Sequence, residues 1–144
     1  MASDPQNLLN PPALTDAVFD LIRAAACELP DDVARALKTA CEAEEADSTA
    51  RLILTAFLEN MKLAREKQVP LCQDTGMPLF FVQHPLGMSP RALRKVCEEA
   101  VVRATKKEYL RPNAVDGVTG ANSGNNVGKG FPGVYCEEWD DAAV

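Results

Sequence analysis

Pro70-Leu71-Cys72-Gln73-Asp74-Thr75-Gly76, with Leu79-Phe80-Phe81-Val82 just beyond it, is the stretch that decides how this chain reads. A thiol, an amide, a carboxylate and a hydroxyl stand on four consecutive residues. Three of those side chains demand hydrogen-bond partners if buried, so the run is a poor way to build a core. It suits a ligand site, with a soft sulfur to hold a metal and hard groups beside it to hold a polar substrate. A long helical pattern ends at Pro70 and an apolar run of strand type begins after Pro78. The polar residues therefore fall at a helix-to-strand junction, where loops commonly carry chemistry.

Helical periodicity dominates before that junction. Residues 1–11 are polar and rich in Pro and Asn, and are expected to form a loose lead-in. Thr15 is placed to cap a helix running to about Leu29, with Val18, Leu21, Ile22 and Ala25 on one face, and Pro30 stops it. Asp31 or Asp32 opens a second helix through Val33, Ala36, Leu37 and Ala40, which finishes in the acidic, solvated Glu42-Ala43-Glu44-Glu45. Asp47 or Ser48 caps the longest helix, to about Gln68, with Leu52, Ile53, Ala56, Phe57, Asn60 and Met61 at helical spacing.

After the junction come a short strand, Leu79–Gln83, and then Ser89-Pro90 as an N-cap followed by proline at the first helical position. That helix carries Leu93, Val96, Cys97, Ala100, Val101 and Ala104 and ends near Tyr109. From Arg111 to Gly133 periodicity gives way to Gly, Asn and Pro, the composition of turns and of backbone close to a ligand. Val134-Tyr135-Cys136 starts a strand with no obvious partner. The expected class is α+β: an N-terminal helical layer, then short strands and one further helix, without internal repeats or a separate domain boundary, and incomplete as an architecture.

The chain has 144 residues, 47% hydrophobic and 25% charged, which is the size and balance of one soluble domain with its own core. Aromatics make up 6%, so that core is aliphatic. A net charge of −6 without a basic stripe argues against nucleic acid as a partner. The five cysteines, at 27, 41, 72, 97 and 136, form an odd, scattered set that suggests reduced thiols. With no stretch of membrane-spanning length and no signal-like N-terminus, the expectation is a cytoplasmic protein that does not enter the membrane.

Cys72 alone is not a metal site. Zinc needs about four ligands, and His84, Cys97 and Cys136 are too scattered to join it. His84, before Pro85, reads as a surface or turn histidine. Gly124-Asn125-Asn126-Val127-Gly128-Lys129-Gly130 falls one residue short of a phosphate loop, lacks the Ser or Thr, and meets Pro132 where a helix would have to start. Arg111 enters the irregular loop from a helix end, where a guanidinium can clamp a carboxylate through two parallel hydrogen bonds.

At these residues the chain resembles the N-terminal part of the α subunit, or α region, of iron–sulfur-dependent hydro-lyases. These are the class I fumarate hydratases and the similar L(+)-tartrate dehydratases. The resemblance rests on residues 70–76, on Tyr109-Leu110-Arg111 with Asn113-Ala114-Val115, and on Asn122-Ser123-Gly124-Asn125-Asn126. The helical lead-in and the Tyr135-Cys136-Glu137-Glu138-Trp139 tail extend it over nearly all of residues 1–144.

The resemblance implies a 4Fe–4S cluster on three cysteines, with Cys72 matching the first, and an open iron acting as a Lewis acid on the substrate. It also implies that Gln73 and Asp74 contact a small dicarboxylate substrate and that Arg111 holds one of its carboxylates. The other two cluster cysteines and the catalytic base are expected outside this chain, so no catalytic residue is assigned within it. The implied partner is a β subunit or a missing C-terminal region, within an oligomer. Fumarate and malate are favoured over tartrate. A reading of another class is a non-catalytic assembly module or inactive relic.

Overall fold

The computed structural model describes residues 11–72 and 76–139. Its elements run α1 (Pro11–Cys27), α2 (Asp31–Ala43), α3 (Thr49–Lys67), β1 (Leu79–Pro85), α4 (Pro90–Lys106) and β2 (Gly133–Trp139), the α+β order expected from the sequence. They form two compact units. One is Arg23–Gln73; the other combines Met1–Ile22 with Asp74–Val144.

In the Arg23–Gln73 unit, α2 and α3 pack as an antiparallel pair joined by a short turn. Ser48 is the N-cap of α3, its hydroxyl accepting the Arg51 N–H at 3.1 Å. Gln68 closes the helix in a left-handed conformation, φ 53°, and returns its N–H to the Ala64 carbonyl. In the acidic run after α2, Glu42 and Glu45 are exposed as expected, whereas Glu44 is half-buried, its Oε2 accepting from the Ser48 hydroxyl at 3.4 Å. Cys41 is buried, with its sulfur 3.6 Å from the Thr55 hydroxyl.

The covered face of α3 is Leu54, Leu58, Met61 and Ala64, whereas Leu52, Ile53 and Phe57 lie exposed, Leu52 at 71%. The helix is apolar on two faces, and periodicity cannot say which of them α2 covers.

In the other unit, α4 is the organising element. Ser89 caps it and Pro90 occupies its first turn, as the sequence implies, but it ends at Lys106 rather than near Tyr109. Leu93, Val96, Cys97, Ala100, Val101 and Ala104 line its buried face. Ile22 joins Ala100, Val101 and Ala104 in the core, with Val18, Phe19, Phe80, Tyr109, Leu110 and Val127 packed around them. Two alanines at the centre let neighbouring backbone approach closely. Arg103 lies over the Phe19 ring, 4.5 Å from its centroid, and pairs with Asp16 at 2.7 Å.

The start of α1 corrects the sequence reading. Thr15 is not a cap: it lies one turn inside α1, whose described part runs from Pro11, and its buried hydroxyl donates to the Pro11 carbonyl at 2.9 Å. Proline at a first helical position forfeits no hydrogen bond, since that N–H would have been unpaired anyway.

The tail strand also has the partner that the sequence did not reveal. β2 runs parallel to β1 in register from Leu79↔Gly133 to Pro85↔Trp139. β1 is two residues longer than expected, reaching Pro85. The long α4 and loop crossover supplies the connection that parallel pairing requires. Phe80, Val82, His84, Val134 and Cys136 share the covered face; Leu79, Phe81, Tyr135 and Trp139 share the opposite, exposed face, with Phe81 at 79%. On that outer face the Phe81 and Tyr135 rings stack at 5.2 Å.

Val101 is fully buried at the centre of this core, while Val118 at the tip of the irregular loop is 96% exposed. Val101→Ala is expected to lower unfolding stability by about 2 kcal/mol, from lost transfer energy and a residual cavity. Val118→Ala should stay within about 0.5 kcal/mol. Denaturant midpoints at unchanged slope are the check.

Candidate functional site

Backbone on both sides of Leu71 is fixed before the chain reaches Cys72. The Leu71 N–H donates to the Ala26 carbonyl at 2.9 Å, in the last turn of α1, and the Leu71 carbonyl accepts from Asn60 Nδ2 at 3.0 Å, on α3. Nearby, Arg23 donates to Glu28 at 3.0 Å and to Gln68 at 2.7 Å, and Arg65 also meets Glu28. This polar clasp ties the ends of the two helices that carry Leu71.

Cys72 is exposed, and so is not the small buried hydrophobe that isolated cysteines usually are. All five cysteines are unpaired; Cys27, Cys41 and Cys97 are buried and Cys136 is half-buried. Burial pushes the Cys97 thiol up to about 11, with Cys136 nearby adding to the effect. Burial also raises Cys27, against the lowering pull of Arg23. Gln73 and Asp74 lie outside the described residues. Among the described residues, no group of three or more His, Cys, Asp or Glu is placed to hold a metal ion. An exposed thiol on anchored backbone has the chemistry of a single thiolate ligand, and no second metal-binding side chain set stands beside it among the described residues.

Arg111 is exposed, and among the described residues its guanidinium has no partner. Its backbone is another matter. Asn126 is only 3% exposed and has φ 60°. Its Oδ1 accepts the N–H groups of Asn113 (2.6 Å) and Ala114 (3.1 Å), and its Nδ2 donates to the Arg111 carbonyl (2.8 Å) and the Thr105 hydroxyl (3.0 Å). Asn122 adds a brace, donating from Nδ2 to the Pro112 carbonyl at 2.9 Å. The segment between them folds back on itself through a Val115–Asn122 bridge.

At its turn, Asp116 Oδ1 accepts from the Thr119 N–H (2.7 Å), the Thr119 hydroxyl (2.9 Å) and the Val118 N–H (2.9 Å). The Thr119 bonds, then that from Val118, hold the Asp116 carboxyl below the usual carboxylate range. Sequence reasoning missed Asn126 as an organiser. Its signal was present as an asparagine two residues after Gly124 in a loop, since asparagine tolerates a left-handed backbone and offers two donors and two acceptors.

His84 is not at the surface: it is 2% exposed, on the covered face of β1. Its Nδ1–H donates to the Pro85 carbonyl at 3.0 Å, and Nε2 has no partner among the described residues. The Gly124–Gly130 stretch leads to no helix, in keeping with its rejection as a phosphate loop.

Residues 15–143 match the fumarate hydratase (fumerase) family. Over 127 residues the chain is 40% identical to a protein assigned as fumarate hydratase class I in Geobacillus stearothermophilus, covering 88% of this chain and 25% of the relative. It is 39% identical over 127 residues to one assigned as L(+)-tartrate dehydratase subunit alpha in Methanocaldococcus jannaschii, covering 86% and 44%. It is 35% identical over 138 residues to the L(+)-tartrate dehydratase subunit alpha of Escherichia coli strain K12, covering 91% and 44%. The chain thus spans between a quarter and a half of the length of the curated relatives it matches.

Two measurements check this layout. Because the thiolate is the reactive form, Cys72 should alkylate first at mildly alkaline pH, with Cys27 and Cys97 unlabelled until the chain unfolds; labelling of Cys97 at the rate of Cys72 would contradict the burial assigned here. A depressed carboxyl in the fold means that support from Asp116 is present above the ordinary carboxylate range and lost as pH falls through its lowered pKa. Amide exchange at Val118 and Thr119 should accelerate over that acid range, and Asp116→Ala should remove the dependence.

Proposed function

The chain belongs to the fumarate hydratase family, and from that premise we propose that it is the N-terminal part of the α region of an iron–sulfur-dependent hydro-lyase. The reaction is the reversible addition of water to a C4 dicarboxylate, with fumarate and malate as the favoured pair. The observation that carries this reading is the contrast among the five thiols: within the Cys-Gln-Asp-Thr-Gly motif, the exposed one sits on backbone fixed by two hydrogen bonds. Burial removes the others from such a role or limits them.

Cys72 would supply one thiolate to a 4Fe–4S cluster, with two more cysteines coming from polypeptide outside this chain. When bound, such a cluster supplies Lewis acidity towards a substrate hydroxyl and carboxylate, which are otherwise poorly activated in water. Arg111 pairs with one substrate carboxylate through its planar fork of donors, fixing the diacid at one end. Gln73 and Asp74, which follow the thiol in sequence, contact a substrate diacid, the amide donating and the carboxylate orienting the hydroxyl. Steadying the charge that develops as the proton beside the carboxylate leaves is the electrostatic share of the work. The base that takes that proton belongs to the partner polypeptide.

The partner is a β subunit or the remaining α-region sequence, in an oligomeric assembly. The outer face of the β1–β2 pair supports this. Parallel sheets are stable with both faces covered, and here Leu79, Phe81, Tyr135 and Trp139 present an apolar face that wants cover. Five unpaired thiols favour the cytoplasm, and no helix among the described residues is long and apolar enough to cross a membrane. Tartrate dehydration is the second reading, favoured by the names of the Methanocaldococcus and Escherichia coli relatives.

In the assembly formed anaerobically with its partner polypeptide, Cys72→Ser should lose iron and sulfide together with activity. Arg111→Ala should keep the iron and raise KM for malate ~10- to 100-fold, the usual cost of a lost hydrogen bond to a charged group. Equal iron in wild type and Cys72→Ser would end the ligand assignment.

A further inference from the structure

Asn126 stands out in its surroundings. Residues 115–125 and 128–130 are exposed, yet Asn126 is buried in a backbone conformation that costs most side chains energy. The orientation of its carboxamide is dictated by its neighbours. Two backbone N–H groups can only donate, so Oδ1 must face Asn113 and Ala114; the Arg111 carbonyl can only accept, so Nδ2 must face it. The second Nδ2 hydrogen goes to the hydroxyl of Thr105, which itself donates to the Val101 carbonyl at 2.8 Å within α4. All four hydrogen-bonding positions of this one side chain are used.

The consequence falls on Arg111. Its carbonyl and the N–H groups of Asn113 and Ala114 are tied to a single buried amide, and that amide is tied to a helix in the core. The backbone of Arg111 is thereby held at a fixed distance from α4 while its guanidinium stays exposed and without a partner among the described residues. A fixed base with a free head is what a clamp for a small anion needs, because ordering cost is removed before the ligand arrives.

We propose that Asn126 is a positioning residue for Arg111: it sets where the guanidinium meets the substrate carboxylate. This rests on the assignment of Arg111 as the carboxylate clamp. Aspartate at this position keeps the acceptor for Asn113 and Ala114 and tolerates the same φ, but turns a carboxylate oxygen towards the Arg111 carbonyl. Asn126→Asp therefore breaks both Nδ2 bonds, to the Arg111 carbonyl and to the Thr105 hydroxyl, and so unties Arg111 from α4, while the acceptor for Asn113 and Ala114 is kept.

The test is a double-mutant cycle in the assembled, iron-loaded enzyme, with malate as substrate. Asn126→Asp should raise KM about tenfold, the loss of roughly one hydrogen bond, with wild-type iron content and a smaller change in kcat. In the Arg111→Ala background the same substitution should change KM less than about twofold, since there is no guanidinium left to misplace. Should Asn126→Asp fail to assemble, Thr105→Val serves instead, removing the outer anchor of the amide; its KM effect must run in the same direction and vanish likewise without Arg111.

Multiplicative effects of the two substitutions, or a wild-type KM in Asn126→Asp, would overturn the positioning role while leaving the clamp intact. A wild-type KM in Arg111→Ala would instead sink the clamp assignment, and the positioning role with it.

Discussion

Two parallel strands do not survive in water on backbone bonding alone, and this constraint shapes the larger unit. Parallel pairing requires a long crossover and cover on both faces. Helix α4 meets the first demand by being the crossover and half of the second by packing its buried face below the sheet. Small residues at Ala100 and Ala104 make the approach close, and Val101 fills the centre. Arg94 reaches from α4 to the Val134 carbonyl at 3.1 Å, adding a polar tie between helix and strand. What α4 cannot do is cover the other face, where Leu79, Phe81 and Tyr135 stand together and Trp139 lies beyond the Gln83–Glu137 pair. The proposal that further polypeptide completes the assembly follows from the same constraint.

Cys72 and Arg111 stand in different units, yet each is presented by the same device. In each case an asparagine side chain bonds the backbone at or just before the residue, and the side chain proposed to act is left exposed. Asn60 holds the residue before the cysteine, and Asn126 holds the carbonyl of the arginine itself. Asparagine suits this work because a single amide can donate and accept at once without bringing a charge near the ligand.

The element order was legible because its signals are local. Ser48 and Ser89 as caps, Pro90 at a first turn and apolar spacing along α4 are all read within one or two turns of helix, and each stands where expected. What escaped was non-local. The partner of β2 lies more than fifty residues earlier, and parallel register leaves no trace in a hairpin turn. Which face of α3 is covered was not legible, because the helix is apolar on two sides. Thr15 looked like a cap because the residues before it read as a loose lead-in, whereas it lies one turn inside α1. His84 was placed at the surface from the proline after it, although strand alternation puts it on the covered face with Phe80 and Val82. The candidate site was legible as chemistry at Cys72 and Arg111, whereas the support beneath them, in Leu71 and Asn126, depends on contacts that spacing does not encode.

The claim on which the account turns is that the sulfur at position 72 bonds to iron. Replacing Cys72 with selenocysteine and recording selenium-edge X-ray absorption of the anaerobically loaded assembly tests it at the atom concerned. The account predicts a shell of iron scatterers around selenium. A selenium surrounded by light atoms alone, in a sample whose iron and sulfide content show a full cluster, would contradict it.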